Sequence, residues 1–333
     1  MKPPTSGLKY RGSTPCSNKV FTLKSSSMKS SLSALDSWQK WASPDQSIHG
    51  YYKENPTSRR SLHFLHGTGF CATSLLSCAQ DLSDEQSIWL TDVPGHGDSL
   101  EPESYRRHQT MPNWMEMAQS VGSGLKSSFS HWMDDADSHE RVGIGHSMGG
   151  VLTLMLAAQQ PGLFDRIILL DPVLFLPWMI SSQKFFRKTG LWQKSELVKK
   201  VSNRTPHWPD EAAMRRELSD KALFKHWHQD AFDGYIFGAS KAKEGRLKLA
   251  CDPAWESQIF GSFPDKLWKA VRQVDCRVDI VVAQKSYFFI PSAVKKAAKL
   301  NKNVHWQVFG DKHCFPMEQP SETADVLRRL LNT

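Results

Sequence analysis

Gly145-His146-Ser147-Met148-Gly149-Gly150 is the stretch that decides the fold of this chain. A short apolar run at residues 141–144 precedes it and predicts a buried strand. An almost wholly apolar run at residues 151–159 follows it and predicts a buried helix that ends near Pro161. Ser147 therefore lies at a sharp corner between a strand and a helix, from which its side chain projects out of the fold.

A serine at such a corner has the features that a nucleophile needs. Gly145 and Gly149 leave room in a crowded, strained turn where any side chain would clash. The start of the following helix points N–H groups toward an anion that forms beside the hydroxyl. Gly-x-Ser-x-Gly alone also occurs by chance in glycine-rich turns. Because the required strand and helix are both predicted here, the sequence favours a nucleophile at Ser147.

Size and composition fit one large core with an inserted subdomain. The chain has 333 residues, of which 40% are hydrophobic. No apolar run approaches the roughly 20 residues that span a bilayer. Residues 1–33 are rich in Ser, Lys, Thr and Pro, have few large apolar side chains, and are predicted to be disordered. This segment is basic but lacks the apolar centre of a secretory signal.

The cysteine pattern indicates the cellular compartment, and the charge pattern indicates which kinds of molecule the protein binds. The six cysteines are scattered without a Cys-x-x-Cys pair, which favours a reducing compartment, and we expect a cytoplasmic location. The net charge of +8 is compatible with anionic surfaces or substrates. No basic helix has the pattern of a nucleic-acid module, so we expect a small-molecule substrate and no nucleic acid. The sequence leaves the oligomeric state open.

Short apolar segments alternate with helical ones along most of the chain. Strands are predicted at residues 61–65, 87–90, 141–144, 166–170, 278–282 and 304–309, and helices at residues 111–132, 151–159, 292–300 and 321–331. Apolar strands that alternate with helices indicate a mostly parallel sheet covered by helices on both faces. We therefore expect an α/β core made of residues 34–171 and 265–333.

The alternation stops in residues 172–264, which are aromatic, basic and helical in pattern. We interpret this segment as a helical lid inserted between two strands of the sheet. Its aromatic residues include Trp178, Phe185, Phe186, Trp192, Trp208, Phe224, Trp227, Phe232, Tyr235 and Phe237. Most of them are expected to fix the insertion to the core, and a few to face a pocket.

Four segments together resemble the α/β-hydrolase superfamily, and specifically its lidded serine hydrolases. They are His66-Gly67-Thr68-Gly69-Phe70, Asp92-Val93-Pro94-Gly95-His96-Gly97-Asp98-Ser99, the Ser147 corner, and Gly310-Asp311-Lys312-His313. The resemblance covers residues 61–172 and 278–331, and the insertion matches nothing in the family. It implies an α/β-hydrolase fold and a Ser-His-Asp triad that needs neither a metal nor an organic cofactor.

The resemblance implies that His313 is the base that activates Ser147. An unassisted hydroxyl is a poor nucleophile at neutral pH, and the superfamily places its base in a similar loop after the last strand. His146 adjoins the nucleophile, but its side chain should point away from the hydroxyl. His66 and His96 lie in glycine-containing loops, where we expect structural roles.

The acid is where this chain departs from the common family pattern. Relatives usually carry it just after the strand at residues 278–282, but residues 283–289 contain no carboxylate. Some relatives place it one strand earlier, where this chain has Asp171. A carboxylate there would orient the histidine and stabilise the imidazolium. The alternative is that Asp171 only caps the turn that follows it, and Asp252 and Asp279 are weaker candidates.

Two backbone N–H groups are expected to bind the oxyanion that forms on the attacked carbonyl. One belongs to Met148, the residue after the nucleophile. In relatives with a His-Gly-x turn the other belongs to x, which is Thr68 here, with Gly69 and Phe70 as close alternatives. The turn could also be a tight glycine turn that binds no ligand.

The resemblance implies a carboxylic ester hydrolase that forms an acyl-enzyme, and the aromatic residues of the insertion favour an apolar substrate group. Relatives that act as haloalkane dehalogenases or epoxide hydrolases carry aspartate at the corner, so Ser147 argues against both. Thioester hydrolysis and carbon–carbon bond hydrolysis are alternatives on the same site. A different alternative is a hydrolase-fold protein that binds a ligand without turning it over. Only the lack of an acid in residues 283–289 supports that alternative.

Overall fold

The computed structural model describes residues 35–129, 139–189 and 195–333. The disorder predicted for residues 1–33 lies outside the described residues. Within them the chain forms a central sheet, helices on both faces of that sheet, and an insertion between two of its strands. None of the described helices is both long enough and apolar enough to cross a membrane.

The central sheet has eight strands in the described residues. They are β1 (Gln39–Ala42), β2 (His49–Lys53), β3 (Arg60–Leu65), β4 (Ser87–Thr91), β5 (Glu140–His146), β6 (Arg166–Leu170), β10 (Arg277–Val282) and β11 (Val304–Val308). Their spatial order is β1-β2-β4-β3-β5-β6-β10-β11. The strands from β3 to β6, with β10 and β11, are parallel, whereas β2 pairs antiparallel with both β1 and β4. The mostly parallel sheet predicted from the sequence is confirmed.

Strands β1 and β2 were not predicted from the sequence. Both lie at one end of the sheet and bury only part of their side chains, so neither has the continuous apolar run of the central strands. The central strands β4 and β6, by contrast, are buried along their whole length. Their apolar pattern therefore identified them, whereas the polar edge pair gave no comparable signal.

Helices cover both faces of the sheet. One face carries α3 (Trp114–Ser128), α4 (Met148–Gln159), α10 (Leu267–Gln273) and α11 (Ile290–Leu300), and the other carries α1 (Leu76–Gln80) and α13 (Pro320–Leu331). The short helices α2 (Glu103–His108) and α12 (Phe315–Glu318) lie in connections. Helix α3 begins later than predicted, because Asn113 accepts N–H bonds from Met115 and Glu116 and so caps it. The layered α/β architecture is confirmed.

The segment between β6 and β10, called here the insertion (residues 172–264), is not purely helical. It contains α5 (Pro177–Lys188), α6 (Glu196–Ser202), α7 (Glu211–Ser219), α8 (Gln229–Gly238) and α9 (Pro253–Phe260), with a small antiparallel sheet of β7 (His207–Trp208), β8 (Ser240–Lys243) and β9 (Arg246–Leu249). These strands have two to four residues, and each buries at most one of them. They therefore lack the apolar alternation by which strands are recognised in a sequence.

Many of the aromatic side chains of the insertion are packed inside the protein. Trp208, Phe224, Trp227, Phe232 and Tyr235 are buried in the apolar core on the face of α1 and α13. Trp178, Phe185, Phe186 and Phe237 are exposed, and Trp192 lies outside the described residues. The ring of Phe70 in the core is 5.1 Å from that of Trp227, centroid to centroid. The buried set thus attaches the insertion to the core beside the turn that contains Thr68.

The parallel strands end at one edge of the sheet, and polar residues follow several of them there. His66 follows β3, Asp92 follows β4, Ser147 follows β5 and Asp171 follows β6. Ligand sites in parallel α/β sheets lie at this carboxyl edge, because the loops there converge. The fold thus brings residues from separate parts of the chain into one region.

Candidate active site

Ser147 forms the corner between β5 and α4. Its backbone has φ 56° and ψ −117°, in a region that residues other than glycine rarely adopt. A Cβ on Gly145 would lie 2.4 Å from the carbonyl oxygen of Gly149, and a Cβ on Gly149 would lie 2.3 Å from that of Leu65. The N–H of Ser147 donates to the carbonyl of Leu170 at 3.1 Å, which ties the corner to the end of β6. A side chain at either position would clash with the backbone, so both positions require glycine.

The side chains of Ser147, His313 and Asp171 form a continuous hydrogen-bonded chain. His313 Nε2 lies 2.9 Å from Ser147 Oγ, and His313 Nδ1 lies 2.6 Å from Asp171 Oδ2. Asp171 is fully buried, whereas the His313 side chain is 17% exposed. The carboxylate therefore faces Nδ1, which leaves Nε2 to accept the serine proton. The three residues predicted from the sequence are brought together in the order that nucleophilic catalysis requires.

Asp171 is held by the loop that follows β10. Its Oδ1 accepts the N–H of Ala283 at 3.0 Å, and its Oδ2 accepts the hydroxyl of Ser286 at 2.8 Å as well as His313. Its own N–H donates to Val281 at 2.7 Å, and its φ is 43°. The carboxylate is thus bound by the neighbouring loops and not by the turn that follows it. Sequence reasoning missed Ser286, because a lone loop hydroxyl gives no signal of its contacts.

The two predicted oxyanion donors, Thr68 and Met148, lie in segments that contact each other beside Ser147, since a Cβ on Gly67 would lie 3.0 Å from Ser147 Cβ. The N–H groups of the two alternatives are already bound, since Gly69 donates to His96 Nε2 at 3.0 Å and Phe70 donates to the carbonyl of Gly67 at 3.2 Å. Within the described part of the chain, no acceptor is recorded for the N–H of Thr68 or of Met148. This difference favours Thr68 over its neighbours as the second donor.

The other histidines of the region hold loops. His66 donates from Nδ1 to the carbonyl of Gly67 at 2.8 Å and accepts the N–H of Val93 at Nε2. His96 donates from Nδ1 to the carbonyl of Pro94. Burial is the main cause that lowers the pKa of His66 well below its usual value and that of His96 to about 4. Both rings are therefore neutral at neutral pH.

His146 contacts the loop that carries His313, and the centroids of the two imidazole rings lie 5.0 Å apart. Its Nε2 donates to the carbonyl oxygen of His313 at 2.9 Å. Burial lowers its pKa to about 3, so it does not gain a charge near neutral pH. The ring links the residue before Ser147 to the loop that carries the candidate base.

The weaker acid candidates lie elsewhere. Asp252 accepts the N–H of Ala254 at 2.9 Å and caps α9. Asp279 lies inside β10, where it forms ion pairs with Arg277 at 2.9 Å and with Arg166 at 3.4 Å. Because both carboxylates are engaged in these contacts, neither competes with Asp171 for the imidazole.

Aromatic rings border the candidate site. Tyr287 packs edge-on against the imidazole of His313, with ring centroids 4.7 Å apart. Tyr287 stacks on Phe289 at 6.0 Å, and Phe289 stacks on Phe175 of the insertion at 5.2 Å. Phe70 packs against the insertion on the side of the Thr68 turn. The surroundings are thus apolar, and such walls suit an uncharged organic group.

Comparison of the sequence with known proteins agrees with the family that the motifs resemble. The sequence model of the "Alpha/beta hydrolase family" matches residues 64–326. The peroxisomal membrane protein LPX1 of Saccharomyces cerevisiae is 32% identical over an alignment of 131 positions, and the match covers 36% of this chain. The matched part spans 33% of the length of that relative.

Solved structures share the fold at low sequence identity. The peroxisomal α/β-hydrolase Lpx1 from Saccharomyces cerevisiae has a TM-score of 0.66 at 20% identity, over 90% of this chain and 91% of its own. An esterase from M. tuberculosis has a TM-score of 0.65 at 18% identity, over 89% and 92% of the two chains. A thioesterase domain of the curacin biosynthetic pathway has a TM-score of 0.67 at 13% identity, over 87% and 98%. The protein therefore belongs to the alpha/beta hydrolase family.

Proposed function

We propose that the protein is a serine hydrolase that cleaves a carboxylic ester through an acyl-enzyme. The observation that carries this proposal is the hydrogen-bonded chain from Ser147 Oγ through His313 to Asp171, with distances of 2.9 and 2.6 Å. The strained corner and the two N–H groups beside it supply the other parts of such a site. The esterase among the solved structures is consistent with this reaction.

The first half of the proposed reaction transfers the acyl group to the protein. Ser147 Oγ attacks the ester carbonyl while His313 Nε2 accepts its proton, and Asp171 stabilises the imidazolium. The N–H groups of Met148 and Thr68 bind the oxyanion of the tetrahedral intermediate. The intermediate collapses when the carbon–oxygen bond to the alcohol breaks and His313 returns the proton to the departing alcohol.

The second half releases the acid. A water molecule gives a proton to His313 Nε2 as its oxygen attacks the acyl-enzyme carbonyl. A second tetrahedral oxyanion forms at the same N–H groups, and the bond to Ser147 Oγ breaks as that oxygen regains its proton. The buried carboxylate of Asp171 fixes the imidazole tautomer in this half of the reaction as well.

We further propose that the insertion, residues 172–264, acts as a lid over an apolar small-molecule substrate. Support comes from the aromatic path between His313 and the insertion, through Tyr287, Phe289 and Phe175. If this path lines the acyl or alcohol pocket, Phe175→Ala should change the preference among p-nitrophenyl esters of different chain length. Hydrolysis of the acetate should change little, and an equal loss for all chain lengths would contradict the lid.

Thioester hydrolysis is the second candidate, and the similar fold of a thioesterase domain favours it. The same nucleophile, base and oxyanion donors serve both reactions, because only the leaving group differs. Measuring kcat/KM for an oxygen ester and a thioester with the same acyl group separates the two. Carbon–carbon bond hydrolysis of a ketone stays a third possibility for this site.

One labelling experiment tests the central proposal. The purified protein is treated with a fluorophosphonate probe, and the modified peptide is identified by mass spectrometry. We expect label on Ser147 and none on the Ser147→Ala variant. A protein that is not labelled and hydrolyses no ester would instead be the ligand-binding alternative.

The cytoplasmic location expected from the sequence stays a prediction. A relative described as peroxisomal suggests the other location to test. Imaging of a fluorescent fusion beside a peroxisomal marker would distinguish the two compartments.

A further inference from the structure

A buried carboxylate of the insertion packs directly against the turn that contains Thr68. Gly69, the next residue, has φ 75°, and a Cβ built on it would lie 2.2 Å from Glu256 Oε1. The same Cβ would lie 3.5 Å from Arg204 Nη1. Gly69 is therefore required both by its backbone conformation and by the approach of Glu256. The contact joins the insertion to the candidate oxyanion turn.

The carboxylate belongs to a small charged network. Arg204 Nη1 donates to Glu256 Oε2 at 2.5 Å, and Arg204 Nη2 donates to the hydroxyl of Tyr235 at 3.2 Å. The Glu256 side chain is 4% exposed and that of Arg204 is 22% exposed. Glu256 lies on α9, Tyr235 on α8, and Arg204 just after α6. Three segments of the insertion thus contact one another beside Gly69.

The same helix also holds the neighbouring loop of the core. Trp255, next to Glu256 on α9, is fully buried and donates from Nε1 to the carbonyl of Pro94 at 3.2 Å. A Cβ on Gly95 would lie 2.1 Å from that Nε1. His96 in this loop accepts the N–H of Gly69. Helix α9 therefore fixes the turn after β3 both directly and through the loop after β4.

The Arg204–Glu256 ion pair is better suited to hold the turn at Gly69 in place than to stabilise the fold. A buried ion pair contributes little net stability, because desolvation offsets most of the attraction between its charges. A lone carboxylate beside Gly69 would also oppose negative charge that develops at the adjacent Thr68 N–H. Arg204 neutralises that carboxylate and fixes its place. The arrangement thus gives a rigid contact under the turn without adding net charge to it.

We infer that the Arg204–Glu256 ion pair is a positioning device that holds the Gly69 turn, and with it the Thr68 N–H, in the geometry for oxyanion binding. This inference rests on the proposed function. It makes the insertion part of the catalytic geometry and not only a cover over the substrate. Neither residue touches the reacting atoms in this role, so each acts through the turn.

The test compares variants of the pair with a matched ion pair elsewhere in the insertion. The variants are Glu256→Ala, the conservative Glu256→Gln, Arg204→Met, and the double variant Arg204→Met/Glu256→Gln. The control is Arg215→Met, because Arg215 pairs with Asp233 and Glu211 in the same insertion. Circular dichroism and thermal unfolding establish that each variant is folded.

The first readout does not depend on esterase activity. Hydrogen–deuterium exchange is measured by mass spectrometry on peptides that cover residues 66–71. We expect faster exchange there in Glu256→Ala and Arg204→Met than in the wild type, and no change in Arg215→Met. Unchanged exchange in both pair variants would overturn the inference, whatever the enzyme activity is.

The second readout is steady-state hydrolysis of p-nitrophenyl acetate. Loss of the turn geometry should lower kcat about 10- to 100-fold with KM nearly unchanged, since the N–H acts on the transition state. The inhibition constant of a trifluoromethyl ketone, which forms an oxyanion on serine, should rise by a similar factor. Arg204→Met should lose more than Arg204→Met/Glu256→Gln, because the double variant leaves no uncompensated carboxylate.

The outcomes separate the two proposals. In one outcome, the wild type hydrolyses the ester while the pair variants keep the same kcat or change only in KM. In that case the positioning role is wrong, and the proposed serine hydrolase function is retained. If the wild type hydrolyses no ester but exchange at residues 66–71 still rises in the pair variants, the proposed function fails and the contact under the turn stands.

Discussion

The hydroxyl of Thr68 donates a hydrogen bond to the thioether sulfur of Met148, 3.2 Å away. These residues follow β3 and β5, and they carry the two N–H groups that we assign to oxyanion binding. Their side chains are therefore joined to each other, which links the segment after β3 to the start of α4. Met148 is fully buried, so its side chain serves as a fixed partner.

Thr68→Val should have a small effect on catalysis. Valine keeps the shape and the backbone N–H and removes only the hydroxyl bond to the sulfur, so we expect kcat to fall by less than about tenfold. Ester hydrolysis under saturating substrate measures this directly. A loss of about 10² to 10³, as on removal of an oxyanion donor, would mean that the hydroxyl itself is the donor.

Ser147→Ala and His313→Ala should each abolish ester hydrolysis. The double variant should lose little more than either single variant, because nucleophile and base act as one unit. Circular dichroism should be unchanged, since neither substitution removes a large apolar contact. Substantial residual activity of Ser147→Ala with the same substrate profile would contradict the assignment.

Asp171→Asn should lower kcat by up to about 10⁴, with a smaller effect on KM. The amide cannot stabilise the imidazolium and favours the wrong tautomer of His313. Ser286→Ala offers a matched comparison, because it removes a bond to the same oxygen but leaves the carboxylate charge. We expect its loss to be much smaller, and comparable losses would indicate that carboxylate placement matters more than its charge.

The protein should lose stability as the pH falls below about 6.5, the ordinary histidine value. Burial lowers the pKa of His63 and His146 to about 3 and of His96 to about 4, and that of His66 lies well below its usual value. These rings stay neutral in the folded state but gain protons in the unfolded state, so acid favours unfolding. Stability from this source is present above about pH 6.5 and is lost as the pH falls from there through the folded-state pKa values of about 4 and about 3.

Two carboxyl groups oppose this effect. Burial raises the pKa of Asp92 to about 7 and also raises that of Glu256, so both bind protons more readily in the folded state. Because four histidines lose stability in acid and only two carboxyls gain it, the net effect is a loss of stability as the pH falls from 6.5 toward 5.5. Urea unfolding at pH 7.5, 6.5 and 5.5 measures it, and His63→Gln should reduce the slope. A free energy of unfolding that is constant over this range would contradict the prediction.

The sequence predicted the parts of the molecule whose signals are local. An apolar run on each side of Ser147 identified the corner, and the order of the motifs identified the fold. Asp171 followed from the lack of an acid in residues 283–289, and the structure brings it to His313, although its catalytic role stays a prediction. These inferences combined the strand order with the resemblance to relatives that carry the acid one strand earlier.

The parts that sequence reasoning missed depend on contacts between distant segments. Ser286 supports Asp171 across 115 positions, and Glu256 reaches Gly69 from the insertion. Neither residue belongs to a motif or a periodic pattern, so its role arises only from tertiary packing. The short strands β7 to β9 were missed for a related reason, because their few residues have no apolar alternation.

The bond from the N–H of Ser147 to the carbonyl of Leu170 has a consequence for how the site assembles during folding. Ser147 and Asp171 follow the two strands of one strand–helix–strand unit, β5-α4-β6, so a short loop closure brings them together. His313 must reach them across 166 and 142 positions of chain, and such long-range contacts form late and slowly. In a refolding experiment, the return of activity would therefore report the formation of the contacts of His313 with Ser147 and Asp171. Ser147 and Asp171 would have come together much earlier.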